Sequence, residues 1–411
     1  MGIKLSGFNT ADLLRYALLS FALLPILPNR LKGLPPILLL LSSATYFFGN
    51  KPVKDQKPDL KFFAVFSLPF FFLLFSLIYS SNIAYGIKKM ETELPILVIP
   101  LAFFILMNNY RIEPKLFFNW IKLYISCATL YAIYVLVSII LDPTPFFKDF
   151  YSNKFRNVVK SLEIAPQHPI YASIFFALAI VFGVFFFRKI FNRKIWGFVS
   201  VTLNAILLVM LSSRSVILAL MITLFLLFLL VFRVTFKRKM LIVVTLFFSI
   251  LILFSYNRRM QELLKFDTYT RLDRNFSTGF RVAITECSFK LIRQNPWWGY
   301  GIGDVQQQLN DCYKEISPLL LEKTYNSHNQ YLDFWLKTGI LGFIYFLSLL
   351  FYLFRYGIKH KNYLPGLIVL FYAAVFLFEN VLDRRSGVIL FYFLLIFLIK
   401  YYSNEQEKKY A

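Results

Sequence analysis

Apolar stretches long enough to cross a lipid bilayer recur from one end of the chain to the other. One span takes about 20 apolar residues, and about twelve stretches approach that length. Because a backbone amide in hydrocarbon has no water to bond, each span must satisfy its hydrogen bonds internally as a helix. The predicted spans are 10–28, 33–49, 61–80, 94–109, 116–141, 169–187, 195–213, 214–232, 240–256, 330–354, 363–380 and 386–402.

The composition agrees with a membrane protein of many passes. Of the 411 residues, 58% are hydrophobic and 49 are Phe, which is more apolar surface than one water-soluble core can bury. We therefore predict an all-α integral membrane protein with about twelve transmembrane helices. Its parts are spans 1–9 at 1–256, an extramembrane loop at 257–329, and spans 10–12 with a tail at 330–411. Together they form one integral domain.

The basic residues of the loops orient the chain. Clusters such as those at 188–194 and 355–361 fall on the same side of the predicted membrane, with about 21 Lys and Arg there against about 11 in the short opposite loops. Both termini are therefore predicted to be cytoplasmic. This bias explains most of the net charge of +23. Because the charges are dispersed in short loops, the predicted partner is the lipid bilayer and not a nucleic acid.

The long connection at 257–329 lies on the outer side yet carries about ten basic residues, against the usual bias. It is either a functional subdomain or a solvated loop. Apolar residues at helical spacing within 277–296 predict an amphipathic helix that Ser277 or Thr278 caps. Cys287 and Cys312 form a disulfide if this loop faces an oxidising compartment; two reduced cysteines are the alternative.

Three side chains suited to an anion or a hydroxyl are predicted on this outer side. Arg281 falls in the first turn of the amphipathic helix, where a guanidinium suits a phosphate; a salt bridge, for example with Glu286, is the alternative. Arg214 interrupts about 38 almost uncharged residues and is either functional or a marker of the turn between two spans. His328, at the start of the tenth span, is either a proton acceptor or structural.

No metal or cofactor is predicted. The glycine-rich segment GYGIGD at 299–304 has the spacing GxGxG, whereas a dinucleotide-binding turn needs GxGxxG after a strand. The 3 histidines and 3 cysteines are scattered, without the spacing of metal ligands. The segment at 299–304 is predicted to be a backbone turn.

Two motifs carry a resemblance to a known family. SRSVILAL contains R-x3-L at Arg214 and Leu218, and SHNQYLDFWLKTGILG contains H-N-x9-G-x2-G from His328 to Gly342. With FRVAITECSFKLIRQNPWWGYGIGD between them and a weaker echo in ENVLDRRSG at 379–387, the chain resembles the O-antigen ligase superfamily of bacterial membrane glycosyltransferases. That superfamily includes O-antigen ligases, O-antigen polymerases and O-oligosaccharyltransferases.

The resemblance implies a GT-C-like helical fold with one large helical periplasmic loop between spans 9 and 10. It implies metal-independent transfer of a glycan from undecaprenyl diphosphate to a hydroxyl of lipid A core, another glycan or a protein. The reaction would take place at the periplasmic face of the bacterial inner membrane. Arg214 and Arg281 would hold the diphosphate and His328 would activate the hydroxyl. Further substrate-binding residues would be Asn329, His168, Glu379 and Arg384.

Among these activities, ligation to lipid A core is favoured over polymerisation and over protein glycosylation, since the resemblance implies an added C-terminal extension in some protein-directed members and we expect none here. A flippase or another transporter of lipid-linked oligosaccharides is the alternative from a different class. A transporter should show broken helices or charges near the bilayer midplane. Here the unusual residues gather at the outer edge, so we predict a membrane glycosyltransferase.

Overall fold

The structure is a computed structural model. In the part of the chain that it describes, every regular element is a helix. The predicted ninth span, 240–256, lies outside this part. The described residues are 9–50, 59–106, 110–141, 154–231, 261–270, 272, 277–359 and 362–410.

The α-helices follow the predicted apolar stretches closely, with additional helices between them. Short 3-10 turns lie at Phe21–Leu23, Glu262–Leu264, Pro318–Leu321 and Val381–Asp383. The helices are α1 (Thr10–Ser20), α2 (Leu34–Gly49), α3 (Leu60–Ile78), α4 (Ile83–Glu93), α5 (Pro95–Leu106), α6 (Pro114–Leu141), α7 (Lys154–Ser161), α8 (Pro169–Phe185), α9 (Phe187–Ile190), α10 (Lys194–Leu211), α11 (Arg214–Leu230), α12 (Asp267–Thr270), α13 (Ser277–Gln294), α14 (Val305–Ile316), α15 (Gln330–Lys359), α16 (Tyr363–Phe376) and α17 (Arg385–Tyr410).

Five helices are long and apolar enough to cross a membrane, judged by length and composition: α3, α6, α10, α15 and the Arg385–Ser403 part of α17. Five shorter apolar helices, α2, α5, α8, α11 and α16, occupy other predicted spans. The prediction of an all-helical membrane protein is confirmed, whereas the count of twelve spans stays a prediction. The described part of α5, with 12 residues, extends about 18 Å, less than the hydrocarbon thickness of about 30 Å.

Local chemistry fixes several helix starts. Asp59 accepts a hydrogen bond from the backbone N–H of Phe62, and Asn82 accepts one from that of Tyr85. In each case the side chain satisfies an amide that the first helical turn leaves without a partner. Pro169 opens α8 at a position where its missing N–H costs nothing. Asp59, Asn82 and Pro169 therefore mark where α3, α4 and α8 begin.

The core of the protein lies around α8 and α17. Nearly every residue of α8 is buried, and so are most residues of Arg385–Ser403. Aromatic rings stack face to face where α17 meets other helices, with centroids 3.7 Å apart for Phe117 and Tyr401 and 3.8 Å apart for Phe21 and Phe393. Buried rings of this kind supply much of the contact area in the interior.

A bend at Gly339 divides α15 into two helical parts. Gly339 has a φ of 69°, a left-handed conformation that side chains disfavour. The backbone N–H of Ile340 donates to the carbonyl of Pro296 at 3.0 Å, and a Cβ on Gly339 would lie 1.9 Å from the carbonyl oxygen of Trp297. The first glycine of the H-N-x9-G motif therefore provides both the bend and the room for the neighbouring turn.

A buried network of charges joins the first part of α15 to α4 and to the 3-10 turn at Val381–Asp383. Lys337 lies 2.6 Å from Asp333 and 3.6 Å from Asp383, and Lys89 lies 3.0 Å from Asp383. Asp333 and Lys337 are four residues apart and therefore share one face of α15. Asn326 also donates to Asp383, at 3.1 Å, so the network holds the segment that leads into His328.

The described part of the long connection at 257–329, predicted to be the outer loop, contains two packed helices, α13 and α14. The predicted apolar face of α13 is confirmed, since Phe280, Ile284 and Leu291 are all buried. A disulfide joins Cys287 of α13 to Cys312 of α14. The glycine-rich segment is a turn, as predicted, in which Gly301 has a φ of 78°. The disulfide connects the two helices, and the turn leads from α13 to α14.

Thiol labelling should distinguish the disulfide from two reduced cysteines. In protein denatured without reductant, we expect a maleimide reagent to modify Cys127 alone, because Cys127 is the free cysteine. Reduction should expose three reactive thiols. The free energy of unfolding of the double variant Cys287→Ser/Cys312→Ser should be about 3 kcal/mol lower than that of the wild type, as expected for the loss of a disulfide that closes a loop of this length. Labelling of all three cysteines before reduction would contradict the disulfide.

Candidate active site

Three arginines line one cavity of about 600 Å³ next to the outer loop. Arg156 comes from α7, Arg214 is the first residue of α11, and Arg281 comes from α13. Arg214 and Leu218, the two residues of the R-x3-L motif, both line the cavity because residues four apart share one helix face. The rest of the lining is largely apolar and includes Ile217, Met221, Val282, Phe289, Leu377 and Phe378.

Arg214 lies at the turn between two helices, where the sequence places it. The preceding helix α10 ends at Leu211, and Ser212 reverses the chain with a φ of 49°. One guanidinium nitrogen of Arg214 donates to the carboxylate of Glu262 and another donates to Thr278 Oγ1 at 3.4 Å. The side chain is 17% exposed. Arg214 is therefore a partly buried cation held by the outer loop.

Arg281 pairs with Glu379 and not with Glu286. Its Nη2 donates to Glu379 Oε1 and its Nη1 to the carbonyl of Phe378, both at 2.5 Å. Because α13 begins at Ser277, Arg281 follows the first turn, and the prediction that it lies in that turn is wrong. The side chain remains 36% exposed and lines the cavity.

Glu379 is the buried carboxylate between Arg281 and His328, with 8% of its side chain exposed. Burial alone would raise its pKa, but Arg281 and His328 outweigh that effect and lower the pKa to about 2. Glu379 is thus ionised at neutral pH. Because a carboxylate repels a diphosphate, this geometry favours a positioning role over the predicted substrate contact, which stays a prediction.

His328 precedes α15 in a left-handed conformation with a φ of 48°. Its backbone N–H donates to Asn326 Oδ1 at 3.2 Å. Its Nδ1 lies 3.6 Å from Glu379 Oε2, and the side chain is 28% exposed. His328 does not line the cavity, but Glu379 does. Glu379 therefore connects the imidazole to the cavity.

Asn329 caps the start of α15. Its Oδ1 accepts from the backbone N–H groups of Tyr331 and Leu332, at 2.9 and 3.1 Å. Its Nδ2 donates to the carbonyl of Leu377 at 3.1 Å. Asn329 lines the cavity, yet both polar atoms of its side chain are already bonded. The asparagine of the H-N motif therefore fixes the helix start beside His328.

His168 and Arg384 lie near this cluster but do not line the cavity. Burial, together with Arg384 and Arg156, lowers the pKa of His168 to about 3, so its imidazole is neutral. Its Nδ1 is buried without a hydrogen-bond partner among the described residues. Arg384 is exposed, just before α17. The structure therefore brings Arg214, Arg281, Asn329 and Glu379 together, with His328 beside them.

Sequence reasoning did not assign Arg156 to the site. It lies in α7, next to Phe155, which with Val159 forms the buried side of the helix. Its Nη1 donates to the carbonyl of Leu211 at 2.9 Å and to Ser213 Oγ at 3.4 Å. Burial lowers the pKa of Arg156 to about 10, so it is charged at neutral pH. The sequence KFRNVVKS has apolar residues at Phe155 and Val159, and this spacing of four could have predicted the helix.

The fold and the site together define a class of protein: an all-helical membrane protein with arginines around an apolar cavity. Residues 199–347 match the family described as O-antigen ligase, and this stretch contains Arg214, Arg281 and His328. The match confirms the predicted resemblance to the O-antigen ligase superfamily and indicates glycan transfer of the ligase or polymerase type by a glycosyltransferase-like enzyme. An uncharacterized protein of Haemophilus influenzae is 24% identical over 343 residues, which cover 80% of each chain.

Proposed function

We propose that this protein transfers an O-antigen-type glycan from undecaprenyl diphosphate to an acceptor hydroxyl at the periplasmic face of the bacterial inner membrane. The preferred acceptor is lipid A core. The observation that carries the proposal is the cavity in which Arg214 and Arg281 meet an apolar lining, within the segment that matches the O-antigen ligase family. Guanidinium groups suit a diphosphate, and the apolar side chains suit the lipid attached to it.

The proposed reaction forms one bond and breaks one. The acceptor oxygen bonds to the anomeric carbon of the glycan while the bond from that carbon to the diphosphate breaks. The diphosphate leaves with the electron pair, and Arg214 and Arg281 stabilise its growing negative charge, so that the proposed transfer needs no metal. The hydroxyl proton passes to His328, and Glu379, at 3.6 Å from Nδ1, stabilises the resulting imidazolium.

Deleting the gene tests the reaction and its acceptor. Extracted lipopolysaccharide would be run on a gel beside a blot for lipid-linked glycan. Loss of the whole ladder, with long polymer accumulating on the carrier, is expected for ligation to lipid A core. A core that bears a single repeat unit would indicate the alternative, an O-antigen polymerase. An unchanged ladder would contradict both and would direct the search to protein O-glycosylation.

His328→Ala should lower the rate of glycan transfer about 100-fold or more, the usual contribution of a positioned proton acceptor. The variant should remain in the membrane and lose less stability than Arg281→Ala, because the imidazole is partly exposed and Glu379 keeps its shorter contact with Arg281. Initial rates with purified protein would measure the effect. Wild-type rates would show that His328 is structural.

One observation favours a second candidate, a flippase of lipid-linked oligosaccharides. The bend of α15 at Gly339 and the buried charges around Lys337 are features that a transporter also uses. Proteoliposomes that contain purified protein and a lipid-linked glycan would separate the two functions. Movement of the glycan between leaflets without any transfer to an added acceptor would replace the proposed reaction with transport.

A further inference from the structure

The three arginines of the cavity differ in the groups to which they donate hydrogen bonds. Arg214 donates to the carboxylate of Glu262, and Arg281 donates to that of Glu379. Arg156 donates to a carbonyl and a hydroxyl and has no carboxylate among its hydrogen-bond partners in the described part of the chain. A phosphate that binds Arg214 or Arg281 must therefore compete with an existing ion pair, whereas one that binds Arg156 does not.

The contacts of Arg156 leave one edge of its guanidinium available. Both of these hydrogen bonds start from Nη1. Its Nε and Nη2 donate to no other atom of the described residues, and the side chain lines the cavity. These two nitrogens form the edge with which an arginine holds two oxygens of a phosphate at once. The free donors of Arg156 therefore match a phosphate group.

The guanidinium is also held in place before any ligand binds. The carbonyl of Leu211 is one of those that the end of α10 leaves without a helical partner, and Arg156 satisfies it at 2.9 Å. Ser213 Oγ, the second acceptor, lies 2.7 Å from Ser173 Oγ of α8. A side chain fixed by two contacts loses less freedom when an anion arrives, which favours binding.

We propose that Arg156 is a third phosphate-binding residue of the cavity and the first to contact the incoming diphosphate. Arg214 and Arg281 then bind the same group by exchanging Glu262 and Glu379 for phosphate oxygens. The identity of the ligand as a lipid diphosphate rests on the proposed function. The binding of a diphosphate group by Arg156 can be tested without any glycan.

Inorganic pyrophosphate is the probe for this inference. Its dissociation constant would be measured by thermal shift and calorimetry with the full-length protein in detergent. We expect Arg156→Gln to raise the dissociation constant about tenfold or more, since a charge-assisted pair of hydrogen bonds is lost. The control is Arg293→Gln, which removes an exposed charge from the end of α13 and should change the constant by less than about twofold.

A second variant protects the test against unfolding of the first. Arg156→Lys keeps a positive charge that can reach the Leu211 carbonyl but loses the two-pronged edge, so it should remain folded and bind pyrophosphate at least about threefold more weakly. Wild-type affinity in a folded Arg156 variant would overturn the inference, because Arg156 would then only cap α10. So would a wild-type protein that pyrophosphate does not stabilise.

Transfer assays separate this inference from the proposed function. If both hold, Arg156→Gln should raise the KM for the lipid-linked donor by about the same factor as the pyrophosphate dissociation constant. Pyrophosphate binding that depends on Arg156, in a protein that transfers no glycan, would reject the proposed function alone. Normal pyrophosphate binding and a normal donor KM in Arg156→Gln, with active wild-type protein, would reject the role of Arg156 alone.

Discussion

Replacing Arg281 by alanine should lower the rate of glycan transfer about 100-fold or more, the loss expected when one fixed donor to a developing negative charge is removed. The same change should lower the free energy of unfolding by about 3 kcal/mol or more, because Glu379 would stay buried without its charged partner. Initial rates and thermal unfolding of the purified variant would measure the two effects separately.

The double variant Arg281→Ala/Glu379→Gln separates catalysis from stability. Removing both charges should restore much of the free energy of unfolding, since no unpaired buried charge remains. It should not restore transfer, because the diphosphate would still lack the guanidinium. Recovery of activity in the double variant would show that Arg281 serves only to neutralise Glu379.

The ion pair also predicts how stability depends on pH. The pKa of Glu379 in the folded protein, about 2, lies below its ordinary value of 4.5. Its contribution to stability is therefore complete above about pH 4.5 and is lost as the pH falls toward 2. In Arg281→Ala the largest effect that lowers this pKa is absent, so the acid-dependent loss of stability should be smaller than in the wild type and should be complete at a higher pH.

Gly339→Ala should be severely destabilising. At a φ of 69° an added side chain costs about 1–2 kcal/mol in the backbone alone. The new Cβ would also lie 1.9 Å from the carbonyl oxygen of Trp297, so the turn at 296–298 must separate from α15. We expect a total loss of about 3 kcal/mol or more in the free energy of unfolding, and thermal unfolding would measure it.

Gly49→Ala is the matched control for this substitution. Gly49 ends α2, and a Cβ there would lie at an ordinary distance of 3.4 Å from Thr10 Cγ2. Alanine at this position should change the unfolding temperature little. A Gly339→Ala protein that unfolds at the same temperature as Gly49→Ala would show that neither the bend nor the contact with Trp297 is needed.

The sequence was most informative where hydrophobicity alone decides the structure. Predicted spans such as 116–141 and 169–187 lie within a few residues of the observed Pro114–Leu141 and Pro169–Phe185, because burial in hydrocarbon requires a helix there. The helix that contains Arg281 was predicted from the apolar residues along one of its faces. By contrast, α4 is short and carries charges at Lys89 and Glu93, so no hydrophobicity signal predicts it.

Contacts between distant residues could not be predicted in the same way. Arg281 and Glu379 are 98 positions apart in the chain, and nothing in their local sequences favours this pair over Glu286, which is nearer. Arg156 likewise reaches Leu211 from 55 positions away. Such contacts depend on how the helices pack, so the sequence supplies candidate charges and the fold decides which of them meet.

The number of residues between His328 and Gly339 determines how the imidazole is oriented relative to the bend in α15. Both ends have left-handed backbone conformations, at φ of 48° and 69°, and the far end is packed against the turn at Trp297. Each residue of an α-helix turns the chain by about 100° and advances it by about 1.5 Å. Adding or removing one residue here should therefore turn and shift the imidazole relative to Glu379, while every side chain of the proposed site keeps its identity.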